Sequence, residues 1–195
     1  MLKDKLYEQY ADLILKWRES ADLTAADTRQ ELIEKHFLDA KAVVPFLGKI
    51  KSLIDLGTGA GLPGLPIKLE KPHLRVVLLD SRRKKINFLE QVIHELNLTK
   101  IEAIQGRAED PKLIKKLGKF DAAICRATWS LNVLLTNASN FLGPGGRCLA
   151  MKGPNWEREL IEARSIIDEH GFQLTQTHQY NLPGGEKRSL LIFQN

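Results

Sequence analysis

Residues 53–64 read LIDLGTGAGLPG, and this stretch decides the fold class of the chain. An apolar run that reaches Asp55 predicts a buried strand, and the glycines that follow predict a loop whose backbone turns sharply and comes close to a ligand. Residues 62–69 can continue as a helix. The stretch therefore predicts a nucleotide-type binding element, because free amide donors and missing Cβ atoms let a ligand lie against the backbone.

The spacing of the glycines fits two classes of ligand. Residues 59–64 contain the dinucleotide pattern GxGxxG, whereas residues 57–61 contain GxGxG and are preceded by Asp55. A carboxylate at the strand end would repel a pyrophosphate but attract a cationic amino group and a sulfonium, as in S-adenosylmethionine. Asp80 ends the next apolar run, about 20 residues after the first glycine, where a carboxylate can accept hydrogen bonds from ribose hydroxyls. The sequence thus favours S-adenosylmethionine as cofactor.

Beyond residue 50, short apolar runs alternate with amphipathic stretches. This alternation predicts the α/β class, with a doubly wound, mainly parallel seven-stranded sheet of Rossmann-like type. Ser81 is expected to cap the helix after the second strand, and helix 131–141 to end at the turn Gly143–Gly146. The last two strands are expected to form the only antiparallel pair. The predicted strands are residues 51–56, 74–79, 101–105, 120–125, 147–152, 172–180 and 188–193.

An all-helical extension, residues 1–48, is predicted to precede a domain formed by residues 49–195. Apolar side chains in residues 3–17 recur at helical spacing, and Thr28 and Glu31 have the spacing of a capping box that starts a second helix. His36 falls on the inner side of that helix. It is either a histidine at the edge of the core or a substrate contact.

The composition restricts the class of protein. A length of 195 residues suits one compact unit and argues against a dehydrogenase with a separate catalytic domain, and the net charge of +5 weakly favours a polyanionic partner. Cys125 and Cys148 are too few for a disulfide framework, and the scattered histidines lack metal-ligand spacing. Because the sequence has no secretory leader and no long apolar run, we expect a cytoplasmic monomer with no membrane or metal partner.

The ligand of such a sheet binds outside the carboxyl ends of the strands, where the strand order reverses. The residues that follow the strands are therefore the candidate site. Arg107, Arg126 and Lys152 follow the third, fourth and fifth strands. The cofactor candidates are Asp55, Gly57, Gly59, Gly61, Leu62, Asp80 and Ser81.

Six short stretches along the chain carry a resemblance to a known family. They are HFLD (36–39), DLGTGAGLPG (55–64), LLDS (78–81), RAE (107–109), CRA (125–127) and MKG (151–153). With these stretches, in this order, the chain resembles the ribosomal small-subunit methyltransferase G family, also called glucose-inhibited division protein B. The LPG ending of the glycine loop is more specific than the general methyltransferase pattern.

The resemblance implies an S-adenosylmethionine-dependent methyltransferase fold and an enzyme that methylates N7 of one guanine in 16S rRNA of the small ribosomal subunit. It also implies that the cofactor contacts Gly57, Leu62, Ala108, Glu109 and Arg126. The chain departs from the family pattern at Asp22, where the family has asparagine before Leu-Thr, and at Arg18, where it has asparagine after tryptophan. Both departures lie in the extension and bear on substrate docking.

Methylation of guanine N7 needs no strong base, because N7 is an exposed lone pair that has only to be aligned with the methyl group. No residue is therefore assigned as acid or base, and Arg126 and Lys152 are the positioning candidates, with Asp55 or Asp80 as the expected partner of Arg126. Cations are disfavoured at a helix N-terminus, so the basic run at residues 82–85 suggests phosphate binding. The RNA-binding candidates are Arg107, Lys152, His36, Arg82, Arg83, Lys84 and Lys85.

Three other functions stay open from the sequence. The same cofactor could serve a small-molecule or protein acceptor, which the basic clusters and the extension disfavour. An NAD-dependent oxidoreductase is disfavoured by Asp55 and by the chain length. A non-catalytic RNA-binding protein with this fold would bind rRNA without incorporating methyl groups.

Overall fold

Seven strands form one central sheet in the computed structural model, which describes residues 2–195. Their order is β3-β2-β1-β4-β5-β7-β6, so the order reverses between β1 and β4 and confirms the doubly wound α/β fold. Strands β1 to β5 run parallel, whereas β7 is antiparallel to both β5 and β6. The expected antiparallel pairing of β6 with β7 is confirmed, but the expectation that it is the only antiparallel pair is wrong, because β5 and β7 form a second one. The strands are β1 (Ser52–Leu56), β2 (Arg75–Asp80), β3 (Ile101–Gln105), β4 (Phe120–Arg126), β5 (Leu142–Lys152), β6 (Gln173–Asn181) and β7 (Lys187–Gln194).

Helices cover both faces of the sheet and also form the extension. A π-helical turn (Ile33–Phe37) joins α2 to α3, and a short 3-10 helix (Val44–Phe46) follows α3. The α-helices are α1 (Leu2–Ala21), α2 (Arg29–Leu32), α3 (Leu38–Ala42), α4 (Gly64–Glu70), α5 (Arg83–Glu95), α6 (Pro111–Leu117), α7 (Leu131–Ser139), α8 (Trp156–Glu162) and α9 (Arg164–Glu169). The hydrogen bond that the capping box predicts at Thr28 is present, since the Thr28 hydroxyl accepts from the Glu31 amide.

Two helix boundaries differ from the prediction. Ser81 does not cap α5: the N-cap is Arg82, whose amide donates to Asp80 Oδ1 at 2.9 Å. Helix α7 ends at Ser139, and the Gly143–Gly146 segment lies inside β5 rather than in a turn. The β4–β5 register shifts at this point, because the glycines allow the irregular backbone that a bulge requires.

Side chains from alternate positions of the strands fill two cores, one on each face of the sheet. The extension packs into one of these cores. Trp17 lies 6.1 Å from Phe88 of α5, and Tyr10, stacked on Phe37 at 5.1 Å, donates to the Ala60 carbonyl of the glycine loop at 2.5 Å. Extension and sheet thus share one hydrophobic core, and the boundary between residues 48 and 49 stays a prediction.

Candidate active site

An open cavity of about 1150 Å³ lies at the carboxyl ends of the parallel strands, beside the reversal of strand order between β1 and β4. Its position is the one that the topology predicts. We call one part the loop half, which is lined by Gly57, Gly59, Ala60, Leu62, Asp80, Ser81, Ala108 and Glu109. The other part is the extension half, which is lined by Thr24, His36, Asp39, Arg126, Trp129 and Arg188.

Asp55 organises the glycine loop from below. Its side chain is fully buried, and Oδ2 accepts from the Thr58 hydroxyl at 2.6 Å and from the Gly64 amide at 2.8 Å, so it ties together the two ends of the loop. Burial raises the pKa of Asp55 to about 6. Asp55 does not line the cavity, which corrects the prediction that it contacts the cofactor.

The glycines of the loop serve different purposes. Gly57 has φ +71°, and a Cβ there would lie 2.7 Å from Thr128 Cγ2, so the backbone can approach the segment after β4 only without a side chain. Gly59 has φ +61° and lines the cavity. A Cβ on Gly61 would lie 2.3 Å from Leu65 Cδ1. Gly61 is thus a packing residue rather than the cofactor contact that we predicted, and it lies outside the cavity lining.

Asp80 is the buried carboxylate of the loop half. It is only 8% exposed, and its oxygens accept from the Gly59 amide at 3.0 Å and the Arg82 amide at 2.9 Å. Each oxygen keeps a second lone pair for a hydroxyl donor. Ser81, Ala108 and the exposed Glu109 line the same region. A glycine cradle beside a fixed carboxylate fits the amino acid and ribose groups of S-adenosylmethionine.

Arg126 lies at the junction of the two halves. We predicted Asp55 or Asp80 as its partner, and this prediction is wrong. Arg126 Nη1 donates to Asp39 Oδ2 at 3.1 Å and lies 3.2 Å from His36 Nδ1. His36 Nε2 lies 3.2 Å from the Thr24 hydroxyl, so both ring nitrogens are engaged within the protein. His36 is therefore a neighbour that orients Arg126, and because it also lines the cavity, its role as an RNA contact stays a prediction.

Lys152 lines the cavity but is only 5% exposed, and its role as an RNA-binding residue stays a prediction. The ammonium donates to the Trp129 carbonyl at 2.6 Å and to Glu159 Oε2 at 2.7 Å. The same Glu159 oxygen accepts from the Leu131 amide at the start of α7, at 2.9 Å. Lys152 and Glu159 together anchor the segment of residues 127–130 that leads from β4 to α7.

The other basic candidates are divided between the rim of the cavity and the surface outside it. Arg107 is exposed, 3.8 Å from Glu109, and Arg82 is paired with Asp22 at 2.9 Å. Lys85 also lines the cavity. Arg83 and Lys84 are exposed but lie outside the cavity lining, so the structure brings only half of the basic run to the site.

The two residues that depart from the family pattern both make ion pairs. Asp22 has φ +51°, a conformation that aspartate tolerates better than most residues, and pairs with Arg82. Arg18 pairs with Asp27. The Asp22 pair links the end of α1 to the basic run beside the cavity.

Several residues of the site escaped the sequence reasoning. Asp39 ends the HFLD stretch (36–39) that carries part of the family resemblance and follows His36 by one helical turn, but no role was assigned to it. Thr128 and Trp129 lie just beyond the two residues that we had considered after β4. Tyr180 and Arg188 carried no local signal, because β6 and β7 come close to Asp39 and to the cavity only through the sheet order. Within residues 2–195, Arg188 makes no salt bridge, and it lines the extension half.

The described residues offer neither a metal-binding cluster nor a membrane-spanning helix. Across residues 2–195, no cluster of three or more His, Cys, Asp or Glu side chains could hold a metal ion. No helix in that same range has the length and hydrophobicity to span a membrane.

Comparison with known proteins places this cavity in context. The family model of "rRNA small subunit methyltransferase G" matches residues 3–190. The ribosomal RNA small subunit methyltransferase G of Clostridium botulinum (strain ATCC 19397 / Type A) is 44% identical over 198 residues, 98% of this chain and 83% of the relative. That of Carboxydothermus hydrogenoformans is 38% identical over 197 residues, with the same coverage.

Solved structures agree on the fold. The precorrin-6y C5,15-methyltransferase of Geobacter metallireducens superposes with a TM-score of 0.61 at 12% identity, covering 80% of this chain and 86% of that one. At this identity the likeness concerns the fold alone.

Proposed function

The chain belongs to the rRNA small subunit methyltransferase G family and is an S-adenosylmethionine-dependent rRNA methyltransferase, and we propose that its target is N7 of one guanine in 16S rRNA. The observation that carries this assignment is the composition of the cavity. A glycine cradle with the buried carboxylate of Asp80 lies directly beside a half whose charged side chains include Arg126 and Arg188. A cationic methyl donor suits the first half and a polyanion suits the second.

We assign the cofactor to the loop half. Asp80 would accept from the ribose hydroxyls, and the φ-positive backbone at Gly57 and Gly59 would let the amino acid portion lie against the loop. Leu62, Ser81, Ala108 and Glu109 complete the lining. When bound, S-adenosylmethionine supplies a methyl group on a sulfonium, which is an electrophile that needs no further activation.

The acceptor guanine belongs in the extension half. N7 attacks with its lone pair, and the product carries a positive charge, so no proton has to leave. A side-chain donor bound to N7 would occupy that lone pair. Arg126 and Arg188 are therefore assigned to O6 or to phosphate oxygens rather than to N7.

The state of His36 agrees with a reaction that needs no base. Burial, with the adjacent Arg126 charge, lowers the pKa of His36 to about 4, so the ring is neutral at pH 7. Both of its nitrogens are occupied within the protein. The residues of this half bind and orient the base, and we assign no acid or base among them.

The remaining contacts with the ribosomal subunit are assigned to the rim. Arg82, Lys85 and Arg107 would meet phosphates, whereas Arg83 and Lys84 extend the positive surface outside the cavity. We also propose that the protein acts as a monomer in the cytoplasm, where the small subunit is found.

The test is transfer of labelled methyl groups to 16S rRNA and to small ribosomal subunits, with the modified base identified by nuclease digestion and mass spectrometry. We expect 7-methylguanine at one position. Arg126→Ala is expected to lower the transfer by at least about 100-fold, to a residual rate that single-turnover assays still measure, and to leave the circular dichroism spectrum unchanged. Incorporation at another base atom, or only into small molecules, would contradict the assignment.

A further inference from the structure

We propose that Asp39 is a positioning residue of the methyl-transfer site, which acts by fixing the Arg126 side chain. The inference rests on the proposed function, because that function makes the cavity a methyl-transfer site. The contact between Asp39 and Arg126 does not depend on it. Asp39 lies on α3 of the extension and is 1% exposed. Its Oδ2 accepts from Arg126 Nη1 at 3.1 Å, and its Oδ1 accepts from the Tyr180 hydroxyl at 2.7 Å. One carboxylate thus joins the extension, β4 and β6.

The neighbouring histidine completes the arrangement around Arg126. An arginine N–H can only donate, so His36 Nδ1, 3.2 Å from Nη1, is the acceptor. The ring proton is then on Nε2, which donates to Thr24 Oγ1 at 3.2 Å. Both hydrogens of Nη1 are therefore directed to the protein interior, one to Asp39 and one to His36.

This leaves the rest of the guanidinium for the cavity. Three donors, one on Nε and two on Nη2, have no protein partner within the part of the chain that the structure describes. The Arg126 side chain is 17% exposed and lines the cavity between its two halves. Because the guanidinium is planar, fixing Nη1 also fixes the direction of the other donors. Asp39 thereby sets the orientation in which Arg126 meets a ligand.

The burial of the Asp39–Arg126 pair favours a functional over a merely structural role. Burying two charges costs more than packing apolar side chains of similar volume, so stability alone does not explain such a pair. This pair lies on the wall of the cavity, and Tyr180 holds the second carboxylate oxygen. Asp39 and Tyr180 therefore hold an arginine that faces the ligand.

The first experiment compares Asp39→Asn and Tyr180→Phe with Tyr7→Phe. Tyr7 is the matched control: its hydroxyl donates to the Pro66 carbonyl and to Glu70, each at 3.2 Å, and it lies outside the cavity lining. We expect kcat for methyl transfer to fall by about 10- to 100-fold in Asp39→Asn and by a few-fold in Tyr180→Phe. Tyr7→Phe is expected to retain wild-type kcat.

A double-mutant cycle separates positioning from general damage. If Asp39 acts through Arg126, Asp39→Asn costs nothing further in an Arg126→Ala background. An equal fold-loss of kcat in both backgrounds, or full activity of Asp39→Asn, would overturn the proposal.

A measurement without catalysis keeps the proposal testable if the assigned substrate is wrong. In ¹⁵N NMR, a fixed guanidinium gives separate, slowly exchanging Nη signals, whereas a freely rotating one gives averaged signals. We expect separate Arg126 signals in the wild type and averaging in both Asp39→Asn and Tyr180→Phe. Averaged signals in the folded wild type would refute positioning, whereas separate signals in an enzyme that does not methylate rRNA would refute only the proposed function.

Discussion

Gly57 couples the glycine loop to the segment after β4. The Thr128 hydroxyl donates to the Gly57 carbonyl at 3.1 Å, and a Cβ on Gly57 would collide with the Thr128 methyl group. In Gly57→Ala we expect cofactor affinity, measured by calorimetry, to fall by at least about 10-fold because Thr128 and the loop must move apart.

Gly118→Ala is the control for backbone strain at Gly57. Gly118 has φ +69°, close to the +71° of Gly57, but nothing lies within 4 Å of its added Cβ. Gly118→Ala should lose about 1–3 kcal/mol of stability from backbone strain alone, and only Gly57→Ala should also lose affinity. Equal affinities in the two variants would remove Gly57 from the cofactor site.

Asp55 makes a pH-dependent contribution to stability. Its pKa of about 6 in the folded protein lies above the ordinary value of 3.8, so the folded state binds its proton more tightly than the unfolded state. This contribution is present at acid pH and is lost as the pH rises through 6. Relative to Asp55→Asn, the wild type should therefore lose roughly 2 kcal/mol of unfolding free energy between pH 4.5 and 7.5, measured with urea.

Asp121→Asn should show the opposite trend to Asp55→Asn. Backbone hydrogen bonds from Lys51 and Ser52 lower the pKa of Asp121, so its contribution is lost as the pH falls. If the difference in unfolding free energy between the wild type and Asp55→Asn stays constant with pH, the pKa of Asp55 is not raised in the folded protein.

The connection between β4 and α7 depends on two neighbouring elements, β5 and α8. Lys152 and Glu159 hold residues 127–130 from these elements. In Lys152→Met we expect faster hydrogen exchange in this segment and a loss of kcat above about 10-fold, because the Trp129 carbonyl loses its donor.

Arg158→Met is the matched control on α8, since Arg158 makes an exposed pair with Glu162 that contributes little. It should leave both the exchange rates and kcat unchanged. Unchanged hydrogen exchange in Lys152→Met would contradict the anchoring role. A reduced salt dependence of RNA binding in that variant would show that Lys152 contacts phosphate.

The charge distribution of the whole protein predicts where RNA binds. Arg82 and Lys85 line the cavity at the carboxyl ends of the strands, whereas Lys49 and Lys51 line a smaller cavity at the opposite end. We expect Arg82→Ala with Lys85→Ala to weaken binding to 16S rRNA. The slope of log K against log salt should become shallower by about 1 to 2, as for two lost phosphate contacts.

Lys49→Ala with Lys51→Ala removes the same charge from the opposite end and should leave that slope unchanged. If both double variants change the slope equally, RNA binding follows net charge rather than the cavity rim.

The sheet, the glycine loop and Asp80 could be predicted from the chain alone, because strand periodicity and turn chemistry are short-range properties. The position of the cavity followed from the strand order that those elements imply. The helix boundaries were predicted less well. Ser81 lies outside α5 because Asp80 supplies the acceptor for the Arg82 amide. Local propensity does not show which of two neighbouring side chains accepts that hydrogen bond.

The partners of the charged residues were decided by the packed fold. Arg126 meets Asp39 across 87 positions of sequence, and Tyr180 meets the same carboxylate across 141. Asp55 and Lys152 are buried, and Lys152 is hydrogen-bonded, because neighbouring segments cover them. No local sequence pattern predicts how deeply a side chain is buried. Local sequence determines which elements form, whereas the contacts of a side chain depend on where distant segments meet, and that is settled only when the whole core packs.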